Sequence, residues 1–102
     1  MVMLGEGATG AEAVDLGLAY RCLPTRDELA AASGELAARL AAGPTRSLGL
    51  SKTLLNTTFE TALGASLDRE AQAQALAATS PEMAEGMAAF RERRAPDFPG
   101  AR

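Results

Sequence analysis

Alanine dominates the sequence and restricts the chain to helical structure. The 102 residues include 23 alanines and 14 leucines, whereas isoleucine is absent and valine occurs only twice. Alanine and leucine are strong helix formers, and the β-branched and aromatic residues that favour pleated sheets are scarce. The composition therefore predicts a mainly α fold, and the helix start and stop signals along the chain indicate about four to five helices. It argues against a β-sandwich, a β-barrel or a parallel α/β sheet.

The composition also excludes several classes of site and partner. Because histidine is absent, a histidine-based catalytic triad or an imidazole-ligated zinc site is excluded. The single cysteine, Cys22, cannot form an internal disulfide or a cysteine-cluster metal site. A net charge of -3 does not favour nucleic acid, and no apolar run approaches the roughly 18 residues of a membrane span. With no basic segment for a secretory signal at its start, the chain is expected to be cytoplasmic, without metal, membrane or nucleic-acid partners.

The large apolar side chains are few for a chain of this length. Leucine, valine, methionine, phenylalanine and tyrosine together supply 24 residues, and alanine makes up about half of the hydrophobic total. Burying a large side chain contributes about 1.5–3 kcal/mol, and an alanine methyl contributes much less. Since ordering the backbone costs about 1–2 kcal/mol per residue, we expect these helices to lie against something larger.

Threonine and glutamate residues three positions apart predict the starts of helices. In such a capping box the threonine oxygen and the glutamate carboxylate each accept a free amide at the helix start. The pairs are Thr9 with Glu12, Thr25 with Glu28, and Thr57 with Glu60. Gly17 is expected to end the first helix, and Gly43 with Pro44 the second. Pro44 also suits the first turn of the helix that follows.

Three further segments have recognisable patterns. Apolar and polar residues alternate over residues 18–23, LAYRCL. This pattern predicts one short strand or extended segment, which Pro24 ends. Ser80 and Pro81, followed by an acidic residue, predict the start of the last helix. The tail over residues 95–100 contains two prolines and is expected not to be helical.

Among isolated candidates, structural roles are favoured over catalytic ones. Glu70 falls in line with leucines on a helix face and is interpreted as a partly buried ion-pair partner of Arg69 or of a more distant cation. Lys52, the only lysine, is interpreted as a surface amine. Cys22 is interpreted as a small core residue rather than a reactive thiol.

The segment FRERR, residues 90–94, is the one local concentration of positive charge. Three arginines within four positions can bind phosphates through charge-assisted hydrogen bonds, and the neighbouring phenylalanine could stack on a base. The alternative is a solvated helix end, where cations meet the helix dipole favourably. The residues alone leave both interpretations open.

Three short stretches, in order along the chain, carry a resemblance to a known family. Residues 4–19 read LGEGATGAEAVDLGLA, residues 51–56 read SKTLLN, and residues 85–98 read EGMAAFRERRAPDF. The first is similar to a stretch that leads into a strand and a proline. The second is similar to an (S/T)K-x-x-(L/V)N helix, and the third to a terminal EG-x-x-AF-x-EKR-x-P-x-F signature. All three belong to the enoyl-CoA hydratase/isomerase (crotonase) superfamily. The chain resembles the C-terminal region of such a protein over almost its whole length.

The resemblance implies an architecture. Residues 1–24 would be the end of the spiral core of the ClpP/crotonase fold, as a short helix plus a strand. Residues 25–102 would be the C-terminal helical region that covers the active site and builds the contacts of a trimer or a pair of trimers. The implied substrates are acyl-CoA thioesters of fatty acid metabolism, and coenzyme A would be present only as part of the substrate. The chain would thus be one part of a homo-oligomeric lyase or isomerase, with no separate cofactor.

The resemblance also assigns site residues. In the family two backbone amides form an oxyanion hole and glutamates act as general acid and base, all in the N-terminal portion. This chain therefore holds no catalytic residue and is not expected to be active alone. Phe90 and Arg93 match positions that reach the adenine–phosphate end of coenzyme A bound to a neighbouring subunit, although lysine is usual where Arg93 stands.

Two other functions remain as alternatives. In the first, the chain is a stand-alone helical protein-interaction module that binds a partner through Met83, Met87 and Phe90, which share a helix face. In the second, it is a helix-turn-helix protein whose Arg46 and Lys52 touch phosphates. The acidic net charge fits the second poorly.

Overall fold

The computed structural model describes residues 3–101 and confirms the mainly α fold. Its five helices and two 3-10 turns are α1 Gly10–Asp15, α2 Arg26–Ala42, α3 Thr45–Thr57, the turn Thr58–Glu60, α4 Leu63–Ala78, α5 Pro81–Glu92 and the turn Pro99–Ala101. In this described part of the chain, no helix is long and apolar enough to cross a membrane.

The chain divides into two units, and the division falls inside α2. The first unit comprises the described residues up to Leu36, and the second begins at Ala37. The boundary that the sequence analysis places after residue 24 stays a prediction.

The first unit contains α1, and both predicted ends of this helix are confirmed. The Thr9 amide donates to the Glu12 carboxylate at 2.8 Å, and the Glu12 amide donates to the Thr9 hydroxyl at 3.3 Å. These bonds complete the predicted capping box, and the Thr9 amide and hydroxyl hold the pKa of Glu12 below its ordinary value of 4.5. Beyond the helix, Gly17 takes a φ of +71°, a left-handed conformation that glycine adopts without a steric penalty.

The short strand predicted over residues 18–23 does not form, and this part of the prediction is wrong. A strand needs a neighbour for its backbone groups. Here the amides of Leu18 and Ala19 donate back to the Ala13 carbonyl, at 2.8 and 3.0 Å, so the segment begins as a continuation of the turn after α1. Cys22, interpreted as a core residue, is exposed instead. Its sulfur lies against Gly10, where a Cβ would come within 2.5 Å of it.

Local signals also place both ends of α2. The Glu28 amide donates to the Thr25 hydroxyl at 3.2 Å, which confirms the second predicted helix start. The helix ends at Ala42, immediately before Gly43 and Pro44, as predicted. Pro44 itself lies just outside α3, at its N-cap position, and not in its first turn.

The third predicted capping box, between Thr57 and Glu60, is wrong. The Thr57 hydroxyl donates backwards to the carbonyl of Leu54 at 3.1 Å and caps no amide ahead of it. Such bonds compete with forward capping. The chain therefore passes through the 3-10 turn Thr58–Glu60, and α4 begins only at Leu63, after Ala62 at the N-cap.

The start of α5 is capped as predicted, but its acidic residue has a second role. The Ser80 hydroxyl accepts the Met83 amide at 3.1 Å, and Pro81 occupies the first turn. Glu82 is buried, with 4% of its surface exposed, and its carboxylate accepts the Arg46 amide at 3.2 Å and the Thr45 hydroxyl at 3.3 Å. A side chain of α5 thus caps the start of α3, where Pro44 offers no side-chain oxygen.

The cap supplied by Glu82 generates a stability prediction. Glu82→Ala leaves the α3 start without its carboxylate and should lower the free energy of unfolding by about 1–3 kcal/mol, measured by urea denaturation. Glu60→Ala is the control, because Glu60 is exposed in the 3-10 turn, and it should change stability by less than about 0.5 kcal/mol. Equal stabilities for the two variants would show that the contact contributes nothing.

Candidate functional site

The candidate site lies at the carboxyl end of α5, where the helix closes in a left-handed turn. Arg93 has φ 54° and ψ 39°, and its amide donates to the Phe90 carbonyl at 3.3 Å. The Arg94 amide donates to the Ala89 carbonyl at 3.1 Å. These two bonds form a Schellman motif, which satisfies carbonyls at the end of a helix. The two predicted ligand residues, Phe90 and Arg93, are therefore joined through their backbones.

Arg94 is held by two carboxylates. Its Nη1 and Nη2 lie 2.5 and 3.0 Å from the two oxygens of Glu85, and its Nε lies 2.6 Å from Glu92. The pairing with Glu85 is bidentate, the geometry in which a guanidinium binds a carboxylate most strongly. The charge of Arg94 is consequently matched within the protein.

Glu85 also attaches the tail to α5. Its carboxylate accepts the Asp97 amide at 2.7 Å, and the hydrogen bonds from Arg94 and then Asp97 lower its pKa to about 2. The Phe98 ring lies close to Gly86, where a Cβ would be 3.7 Å from it. The tail is thus folded back on the helix. The prediction that residues 95–100 contain no helix is wrong at the end, because Pro99–Ala101 forms a 3-10 turn that Pro99 can begin.

The three arginines of this segment are in different situations. Arg94 is paired with carboxylates, and the Nε of Arg91 donates to the Met87 carbonyl at 3.2 Å. Arg93 is exposed and makes no side-chain hydrogen bond or ion pair with any other residue that the structure describes. Phe90 is 83% exposed. Of the cluster singled out from the sequence, Arg91 and Arg93 therefore have charges that no described carboxylate matches, and the guanidinium of Arg93 in addition makes no described hydrogen bond.

The other candidates lie elsewhere in the second unit. Glu70 is exposed and forms no ion pair with a described residue, so its predicted partial burial is wrong; Arg69 donates instead to the Thr61 hydroxyl at 2.9 Å. Lys52 is exposed, in agreement with a surface amine. Among residues 3–101, no three cysteine, aspartate or glutamate side chains are grouped so that they could hold a metal ion.

The role of Glu85 in this site is not predicted from the sequence, although the residue lies within the terminal signature. The available signal was its charge, nine residues before Arg94 in a segment otherwise rich in arginine. That spacing is too long for a contact within one helix, so only the reversal of the chain after α5 brings the two together.

The lowered pKa of Glu85 predicts how the tail responds to acid. A carboxylate with a lowered pKa in the folded state contributes stability above its ordinary pKa, and the contribution is lost as the pH falls toward the folded value. The bridge should therefore weaken between about pH 4.5 and pH 2. A 13C NMR titration of the Glu85 carboxyl should give a midpoint near 2, and Arg94→Gln should move that midpoint back toward 4.5. A midpoint near 4.5 in the unaltered chain would contradict the bridge.

Comparisons with known proteins point to one family. The family model described as "Enoyl-CoA hydratase/isomerase" matches residues 1–101. Two curated relatives from Escherichia coli (strain K12) are a 1,2-epoxyphenylacetyl-CoA isomerase, 33% identical, and a 2,3-dehydroadipyl-CoA hydratase, 35% identical. Each match covers 98% of this chain, which spans 38% of the length of the isomerase and 39% of that of the hydratase. Since the family model covers nearly the whole sequence, this chain belongs to the enoyl-CoA hydratase/isomerase family.

Proposed function

We propose that this chain is the C-terminal helical part of an enoyl-CoA hydratase-like enzyme that acts on acyl-CoA thioesters. In this proposal α2 to α5 cover the active site and form contacts in a trimer or a pair of trimers. Family membership supports an acyl-CoA substrate, and the span of 38–39% of two relatives supports a role as one part of a larger catalyst.

The exposure of large apolar side chains is the observation that carries this proposal. Among the described residues, Ala89 is the one apolar residue that is buried. By contrast, Phe59 is fully exposed and Leu63 is 75% exposed. Exposed apolar area on this scale is characteristic of surfaces that other protein covers.

The exposed leucines of α4 share one face of the helix. Leu63 and Leu67 are four residues apart and both are exposed. Residues at that spacing are neighbours on a helix surface. Leu55 and Phe59, on the preceding helix and turn, are exposed as well. Covering them with a second protein surface would stabilise the assembly by about 25 cal/mol for each Å² of apolar area removed from water.

At the end of α5, the proposed role is to hold the coenzyme A portion of a substrate bound to a neighbouring subunit. Arg93 would contact a phosphate, and the exposed Phe90 ring would lie against the adenine. The exposure of both side chains and the absence of a described partner for Arg93 support this role. Coenzyme A enters here as part of the substrate.

The chemistry would be carried out by groups outside this chain. In the family, an oxyanion hole stabilises an enolate at the thioester carbonyl while glutamates transfer protons. We assign no catalytic residue here. The names of the two relatives include both a hydratase and an isomerase, so hydration is proposed as the reaction with isomerisation as the alternative within the family.

A stand-alone interaction module is the second candidate. Met83, Met87 and Phe90 share one face of α5, and each is about half exposed or more. In that case the same surfaces would bind a different protein, and the chain would have no link to acyl-CoA chemistry.

The proposal is tested by the hydration of crotonyl-CoA, followed by the loss of the absorbance of its conjugated thioester. The 102-residue chain should give no rate above the buffer control, because its residues include none of the proposed acid–base groups. A longer protein expressed from the same gene should hydrate the substrate. Hydration by the 102-residue chain alone would contradict the assignment of the chemistry to other parts.

A further inference from the structure

Arg93 is the one non-glycine residue with a positive φ in the described part of the chain. At the carboxyl end of a helix this position favours glycine, because a Cβ in the left-handed region clashes with the backbone. An arginine in this position therefore has an unfavourable backbone conformation that neighbouring contacts must maintain. Non-glycine residues held in this way often have a functional side chain.

Contacts on both sides of Arg93 maintain the turn. On one side, α5 is continuous up to Glu92. On the other, the Glu85 carboxylate binds the Arg94 guanidinium at 2.5 and 3.0 Å and the Asp97 amide at 2.7 Å. One side chain thus attaches the chain after Arg93 to the helix before it.

We propose that Glu85 is a positioning residue, which holds Arg93 in its left-handed turn with the guanidinium exposed to a phosphate of the acyl-CoA. This inference rests on the proposed function. Arg94 has its charge matched by Glu85 and Glu92, so its part is to complete the turn, and Arg93 is the phosphate ligand.

An electrostatic role of Glu85 and a positioning role predict opposite effects of Glu85→Gln on the affinity for a phosphate. Removing a negative charge close to the site raises the local potential and should strengthen the binding of any anion. Loss of the bidentate contact instead releases the turn, and the fraction of molecules with Arg93 in the binding conformation falls. If that fraction drops to about a third, the apparent Kd rises about threefold. The direction of the change therefore separates the two effects.

The probe is adenosine 3′,5′-bisphosphate, titrated by calorimetry into the longer protein expressed from the same gene, which supplies the neighbouring subunit, while 13C NMR of the 102-residue chain reports the shifts of Arg93. We expect Glu85→Gln to bind it about threefold more weakly than the unaltered chain. Glu60→Gln removes the same charge from an exposed residue with no described partner, and it should leave the affinity unchanged. In Glu85→Gln, the Cα and Cβ shifts of Arg93 should also move away from left-handed values.

Arg93→Gly is the second variant, and it keeps the experiment interpretable if Glu85→Gln unfolds. Glycine suits the left-handed turn, so this variant should fold at least as stably as the unaltered chain. It should bind the bisphosphate about tenfold more weakly, because the charge-assisted hydrogen bonds are lost. A purely structural role for position 93 predicts unchanged binding.

Each outcome decides the inference. Equal or tighter binding by Glu85→Gln, or weaker binding with unchanged Arg93 shifts, would overturn the positioning role and leave the proposed function intact. Binding by Arg93→Gly that equals that of the unaltered chain would overturn the role of Arg93 as the ligand. A longer protein that does not bind the bisphosphate would overturn both roles, whereas the crotonyl-CoA assay judges the proposed hydration chemistry separately.

Discussion

The shortage of apolar area that the helices can bury among themselves determines the rest of this structure. Alanine supplies about half of the hydrophobic residues, and an alanine methyl removes little area from water when two helices approach. Only Ala89 among the described apolar residues is buried, although the chain forms five helices. Polar contacts therefore have an unusually large part in fixing where the helices of the second unit begin and end.

Two carboxylates of α5 illustrate this role. Glu82 accepts the Arg46 amide in the first turn of α3, and Glu85, one turn later, holds Arg94 and the Asp97 amide. The helix α5 is consequently attached to the start of α3 and to the tail that follows α5. The same contacts leave Arg93 exposed at the turn, so that one network accounts for both the local fold and the candidate ligand site.

Most signals that act within four residues are confirmed, and the exception is the capping box of Thr57 and Glu60, where the Thr57 hydroxyl bonds backwards to Leu54. The capping box of Thr9 and Glu12, the stop at Gly17 and the cap at Ser80 are all confirmed, because their partners lie next to them in the chain. The mainly α fold follows from composition for a similar reason, since helix propensity is a local property.

Several of the other errors concern features that depend on more distant groups. A strand over residues 18–23 would have needed a neighbouring strand, which no described segment provides. The spacing of Glu70 predicts partial burial, but the residue is exposed at the groove between α3 and α4. The contact of Glu82 with Arg46 at the start of α3 spans 36 residues, the contact of Glu85 with Arg94 in the candidate site spans 9, and neither has a periodic signature.

The central claim, that these helices present surfaces that other protein must cover, is tested most directly by sedimentation velocity over a range of concentrations. The purified chain should associate with itself as its concentration rises, because contact between two copies buries exposed leucine and phenylalanine side chains. A single monomeric species at every concentration, together with no binding of a hydrophobic dye, would contradict it.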